Sequence, residues 1–165
     1  MKLTVLCDNN CRVGAYYWAE SGVAYLLEDE DAKILLDTGY TDVYVRNAAK
    51  LGIDLTDLTA LVLSHGHDDH TGGMVHLPEQ QAGKLPLYAH PNVFDRKFYE
   101  GEEIGAPYTQ EQAEKIFELH LSEEPVQLSE HLWFLGAIPR TNDYENKSPV
   151  GERMVDGVWQ PDFMP

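Results

Sequence analysis

"LVLSHGHDDHTGG", residues 61–73, decides how this chain reads. Three histidines (His65, His67, His70) and two aspartates (Asp68, Asp69) crowd into six positions. They follow "LTALVL", a continuous apolar run of strand length, the pattern of a strand buried on both faces. His65 and His67 flank Gly66, so a tight turn can aim both imidazoles at one point. Asp69 and His70 come next and can address a second point a few ångströms away. Imidazole nitrogens beside a carboxylate oxygen suit zinc, manganese or iron. Gly72 and Gly73 let backbone pass close to a ligand. A lone histidine here would read as a surface polar residue. The H-x-H-x-D-H spacing behind a buried strand reads as a metal cluster.

Upstream, "KLTVLCD" predicts a strand, and "GVAYLLED" with "AKILLDTG" predicts a hairpin turning at Glu28 to Asp31. Residues 41–51 switch to helical spacing, with Thr41 as cap, Val43, Ala48 and Leu51 on one face, and Gly52 as the stop. Downstream, "GGMVHLPEQQ" predicts a short helix and "LPLYAH" a strand. Thr109 and Gln112 form a capping box for a helix that turns Ala113, Ile116 and Phe117 inward. "EPVQLSEHLWFLG" predicts two strands around Ser129 and Glu130, and "RMVDGVWQP" a hairpin with Asp156-Gly157 at its turn. Strands alternating with helices, mixed with hairpins, predict an α/β layered fold with a mixed sheet. Functional groups in such folds gather at the carboxyl ends of strands, where the cluster and Asp37 both fall.

The chain has 165 residues, enough for one domain with a core, and 43% of them are hydrophobic. Its formal charge of −16 argues against nucleic acid and anionic membrane surfaces as partners. Neither a secretory leader nor a membrane-spanning apolar run is seen, so a cytoplasmic location is expected. Cys7 and Cys11 form a C-x3-C pair; with no second pair to complete a metal site, they read as two reduced thiols.

At "SHGHDDHTGG" the sequence resembles the signature of the metallo-β-lactamase fold superfamily, mostly metal-dependent hydrolases. "LLDTG", the helix after it and "DLTALVLSHGHDDHTGGM" agree. The resemblance implies an αββα sandwich, of which this chain resembles the N-terminal half: a mixed β-sheet with flanking helices. It implies two divalent ions, zinc ahead of manganese or iron, with His65 and His67 on the first and Asp69 and His70 on the second. It makes Asp37 a buried carboxylate that orients the metal loop. "VLCDNN", "YAHPNVF" and "LGAIPRTNDYE" resemble the subgroup labelled dihydropterin ribofuranosyl-aminobenzene phosphate synthase-like.

The expected function is metal-dependent hydrolysis. Bound water acidified to a pKa of about 7 attacks a carbonyl or phosphoryl centre, and Asp69 orients it or takes its proton. The alternatives are a pterin-related transferase and a non-catalytic metal-binding remnant. The remnant rests on a shortage: two ligands per ion, where the family draws further ones from its second half. Either a following half or a second chain would then complete the fold. The expected partner is a small molecule, phosphorylated or pterin-like. His90, at a strand end, is a candidate for substrate or metal contact, or else caps the turn before Pro91. Arg140 offers a planar fork to a substrate carboxylate or phosphate, or else forms a surface salt bridge. His76, His120 and His131 read as surface residues.

Overall fold

The computed structural model of the protein describes residues 1–81, 83–139, 141–142, 144 and 148–163. Its main sheet is built from β1 (Lys2–Cys7), β2 (Ala24–Glu28), β3 (Lys33–Leu36), β4 (Ala60–Val62), β5 (Leu85–Ala89) and β8 (Phe117–Leu121). They lie in the order β1-β2-β3-β4-β5-β8. The first three pair antiparallel, while β3, β4, β5 and β8 run parallel. The expected hairpin is present, with Tyr25 opposite Leu36 and Glu28 opposite Lys33.

Strand alternation sorts the core into two faces. Leu26, Leu35, Leu61 and Leu87 point to the side covered by α1 (Val43–Leu51), where Tyr44 and Ala48 are buried with them. Ile34, Ala60 and Val62 point to the other side, under the small hairpin of β9 (Val126–Gln127) and β10 (Trp133–Phe134). Phe134 closes that second cluster. This hairpin covers part of the sheet face that a half sandwich would leave open.

Three local expectations shift. Helix α1 starts after Asp42, and the Thr41 hydroxyl donates to Glu20 Oε2 at 2.7 Å rather than serving chiefly as a cap. Gly52 ends the helix in the left-handed conformation, as expected, but Leu51 is exposed. Helix α3 (Gln110–Ile116) carries the predicted capping box, yet Ile116 is exposed and Phe117 already opens β8. Pairing of Phe117 with Leu85 on the parallel edge outweighs continuation of the helix.

A second sheet, in the order β12-β11-β6-β7, joins β6 (Lys97–Tyr99), β7 (Glu102–Glu103), β11 (Glu152–Val155) and β12 (Val158–Pro161). The β11–β12 hairpin turns at Asp156 and Gly157, both with positive φ, the geometry of a type I′ turn. Strands β6 and β7 carry no sequence signal that marked them beforehand.

Candidate metal centre

Three parallel strands end beside one another, and their carboxyl ends deliver the site. β3 runs into Asp37, β4 into Ser64 and His65, and β5 into His90. After Gly66 the chain enters the short helix α2 (Asp68–Thr71), which presents Asp69 and His70. The predicted helix after it is a 3-10 turn, Gly72–His76. Gly66 is required by packing: a Cβ there would overlap the carbonyl oxygen of Val93. Gly73 is required likewise against the carbonyl of Thr38.

Asp37 anchors the site. It is buried, has a left-handed backbone (φ 57), and accepts from the Ser64 amide at 2.8 Å and the Ser64 hydroxyl at 2.7 Å. Its Oδ2 also lies 2.8 Å from Nδ1 of His70. A carboxylate only accepts, so Nδ1 of His70 carries the proton and Nε2 is turned toward Asp69 Oδ2, 3.4 Å away. Ser64 spends its proton on Asp37, so its oxygen accepts from Nδ1 of His65 at 3.0 Å. That leaves Nε2 of His65 bare. On the other side, Nε2 of His67 lies 3.1 Å from Asp162 Oδ2 and therefore donates, which leaves Nδ1 bare.

The two bare nitrogens, His65 Nε2 and His67 Nδ1, face each other at 3.2 Å. Two lone pairs so placed repel unless a cation sits against both. Tetrahedral zinc with Zn–N bonds of about 2.0–2.1 Å would hold two nitrogens about 3.3–3.4 Å apart. Ligand atoms of His65, Asp69 and His70 also lie within 4.8 Å of one another. The donor set fits divalent metal.

Electrostatics agree. Burial, with His70 and His67 nearby, pushes His65 down to about 3, which keeps its ring neutral, the form in which an imidazole can ligate a metal. Burial works against His70 too, but its hydrogen bonds to Asp37 and Asp69 outweigh that and push it up to about 9. Without metal, then, a proton occupies the ground between His70 and Asp69. For Asp69 burial raises the pKa, but the His70 hydrogen bond and the neighbouring imidazoles leave it lowered and the carboxylate charged.

The other candidates lie as follows. His90 is buried; its Nδ1 accepts from the Asn92 amide at 3.1 Å, capping the turn at Pro91, and its Nε2 lies 3.8 Å from Glu123. Arg140 falls outside the described residues. His131 bonds Asp29 and His120 stacks on Tyr88, both away from the cluster. Cys7 and Cys11 are free thiols. Sequence reasoning missed Ser64, Lys97 and Asp162. Only Ser64, adjoining the cluster, carried any signal.

An α/β sheet whose parallel strand ends present a His/Asp group able to hold metal is the architecture of a class of metalloproteins, and comparison with known proteins gives the chain a family. The model of the "Metallo-beta-lactamase superfamily" matches residues 17–157, and the chain belongs to that superfamily. A 7,8-dihydropterin-6-methyl-4-(beta-D-ribofuranosyl)-aminobenzene-5'-phosphate synthase of Methanocaldococcus jannaschii is 28% identical, over 92% of this chain and 56% of its own length. An uncharacterised protein of the same organism is 29% identical, over 94% of this chain and 62% of itself. A crystal structure described as a metal-dependent hydrolase of the beta-lactamase superfamily superposes with a TM-score of 0.76 at 26% identity. It covers 98% of this chain and 57% of that one. The chain spans little more than half the length of these relatives. Among the described residues, no helix is long and apolar enough to cross a membrane.

Proposed function

We propose that the chain carries the metal-binding half-site of a metal-dependent hydrolase that acts on a carbonyl or phosphoryl centre. The observation that carries this is the pair of bare imidazole nitrogens 3.2 Å apart, with ligand atoms of Asp69 and His70 within 4.8 Å of that of His65. His65 Nε2 and His67 Nδ1 would hold one divalent ion, and Asp69 with His70 Nε2 a second; zinc suits the set, as do manganese and iron. When bound, such ions acidify water and offset negative charge at the reacting centre.

The protein's own groups do the rest. Asp37 and Ser64 fix the rings of His70 and His65, so neither must be ordered when substrate arrives. The Asp69 side chain is 33% exposed and carries a charged carboxylate. It can accept a hydrogen bond from a water molecule, orient it, and take its proton at a carboxylate oxygen. A substrate contact by His90 would use Nε2, since Nδ1 is committed to Asn92. Arg140 remains our candidate for an anionic group of a small, phosphorylated or pterin-like substrate. The charge of −16 speaks against nucleic acid and anionic membrane surfaces as partners, and a cytoplasmic location is part of this proposal.

A pterin-related transferase is the second reading, supported by the 28% identity to the synthase across 92% of this chain. There the ions would hold a phosphorylated substrate for transfer. Both readings require metal at the same residues. Zinc, manganese and iron content should be measured in the wild type and in a His65→Ala/His67→Ala variant. Equal content would sink the metal centre. Metal-dependent turnover of an ester, lactone or phosphodiester panel that disappears in Asp69→Ala supports hydrolysis. A hydrolytically silent protein that instead releases phosphate or pyrophosphate only when a pterin carrying that group as an ester and an aromatic amine are both present, the amine nitrogen displacing the ester group and losing a proton, supports transfer.

A further inference from the structure

His67 is held from a direction that the H-x-H-x-D-H motif does not reveal. Its Nε2 meets Asp162 Oδ2 at 3.1 Å, across 95 positions of sequence. Asp162 follows β12, and its side chain is fully buried. The same carboxylate oxygen lies 3.4 Å from Nζ of Lys97, in β6, whose side chain is 1% exposed. A buried lysine beside a buried aspartate needs its partner: removing one would strand the other charge in a poorly solvated place. The pair is therefore a fixed fitting.

The backbone repeats the attachment. Asp68 N donates to the carbonyl of Ile104 at 2.9 Å, and His67 bridges Gly105. Ile104 N in turn donates to the carbonyl of Lys97 at 2.9 Å. Main chain and side chain of His67 are thus both tied to the small sheet, whereas His65 and His70 are tied to Ser64 and Asp37 of the main sheet.

We propose that Asp162, braced by Lys97, is the positioning residue that holds His67 as the Nε2–H tautomer and so presents Nδ1 to the metal. This rests on the metal-centre reading above and deepens it: the small sheet becomes a determinant of metal affinity. A carboxylate can only accept, so it enforces that tautomer, whereas an amide at 162 can rotate its NH2 toward the ring and permit the other. Partners of metal-bound histidines of this kind are typically worth about 10- to 100-fold in affinity.

The test uses the full chain labelled with 15N-histidine. At mildly alkaline pH, long-range proton–nitrogen spectra of the metal-free protein report which ring nitrogens of each histidine carry protons, and zinc affinity is read by competition with a chelator. The wild type is expected to show Nε2–H at His67. Asp162→Asn is expected to lose that preference at His67 alone, to keep the spectra of His65 and His70, and to bind zinc about 10- to 100-fold more weakly. Asp162→Glu should restore part of the affinity. Lys97→Met/Asp162→Asn, which removes the stranded ammonium as well, should show the same loss at His67. Arg153→Met, which removes the ion pair of β11 with Asp95, should leave the tautomer and affinity unchanged; together they separate positioning from general loosening. Nδ1–H at His67 in the wild type, or an Asp162→Asn protein with unaltered tautomer and affinity, overturns the proposal. A wild type with the expected tautomer that binds no zinc overturns the metal-centre reading instead, while the spectrum upholds Asp162 as the group that sets His67.

Discussion

Oδ2 of Asp37 lies 2.8 Å from Nδ1 of His70, joining the end of β3 to the short helix α2 across 33 positions of sequence. Asp37 is 2% exposed and also takes the amide and hydroxyl of Ser64, so one carboxylate sets two histidines: His70 directly and His65 through the serine.

Asp37→Ala should therefore weaken zinc binding about 10- to 100-fold, although Asp37 offers no ligand of its own. Competition with a chelator measures it. Asp37→Asn tolerates the same left-handed backbone and serves as the control for folding. An unchanged dissociation constant in both variants would mean that Asp37 merely terminates a strand.

Gly66 lets the loop between His65 and His67 pass the carbonyl of Val93, and an added Cβ would also sit 2.9 Å from Cε of Lys97. Gly66→Ala should cost about 1–3 kcal/mol through overpacking. For a chain of this size that lowers the melting temperature by roughly 2–4 °C per kcal/mol. A melt identical to wild type would refute the close approach.

Asn47, buried in α1, ties the segment around Trp18 to β1. Its amide nitrogen donates to the carbonyls of Leu6 (2.7 Å) and Trp18 (2.9 Å), and its oxygen accepts from Trp18 N at 3.1 Å. Asn47→Ala leaves these groups without a partner, and a loss of about 1–3 kcal/mol in denaturant unfolding is expected. Asn47→Asp should fail to rescue it, because the carboxylate cannot donate to either carbonyl.

The two thiols should separate in labelling. Burial, then the Glu20 carboxylate, pushes Cys7 up to about 12, so almost no thiolate is present near neutral pH. Cys11 is exposed. A disulfide reagent should modify one thiol quickly and the second only on unfolding. Rapid reaction of both, or a Cys11→Ser variant that still reacts quickly, would contradict this placement.

Much of this molecule is local and was legible in order. The run "LTALVL" behaves as a buried strand because Leu61 and Leu63 face one core cluster and Ala60 and Val62 the other. The hairpin at residues 24–36, the stop at Gly52 and the capping box at Thr109 depend on neighbours within a few positions, so their chemistry is visible in the string. The density of imidazoles after β4 marked the site for the same reason. What the sequence could not settle is which nitrogen each imidazole presents, since that depends on the group behind it. For His70 the group is Asp37, already suspected; for His67 it is Asp162, a residue in "QPDFMP" indistinguishable from a solvated charge. Lys97 in "DRKFY" reads the same way, yet its side chain is 1% exposed. Helical and strand periodicities report which face of an element is buried, not which distant element arrives against it. Only folding of β6 and β12 against the histidine loop after β4 brings these two charges together, out of water and onto the ring of His67.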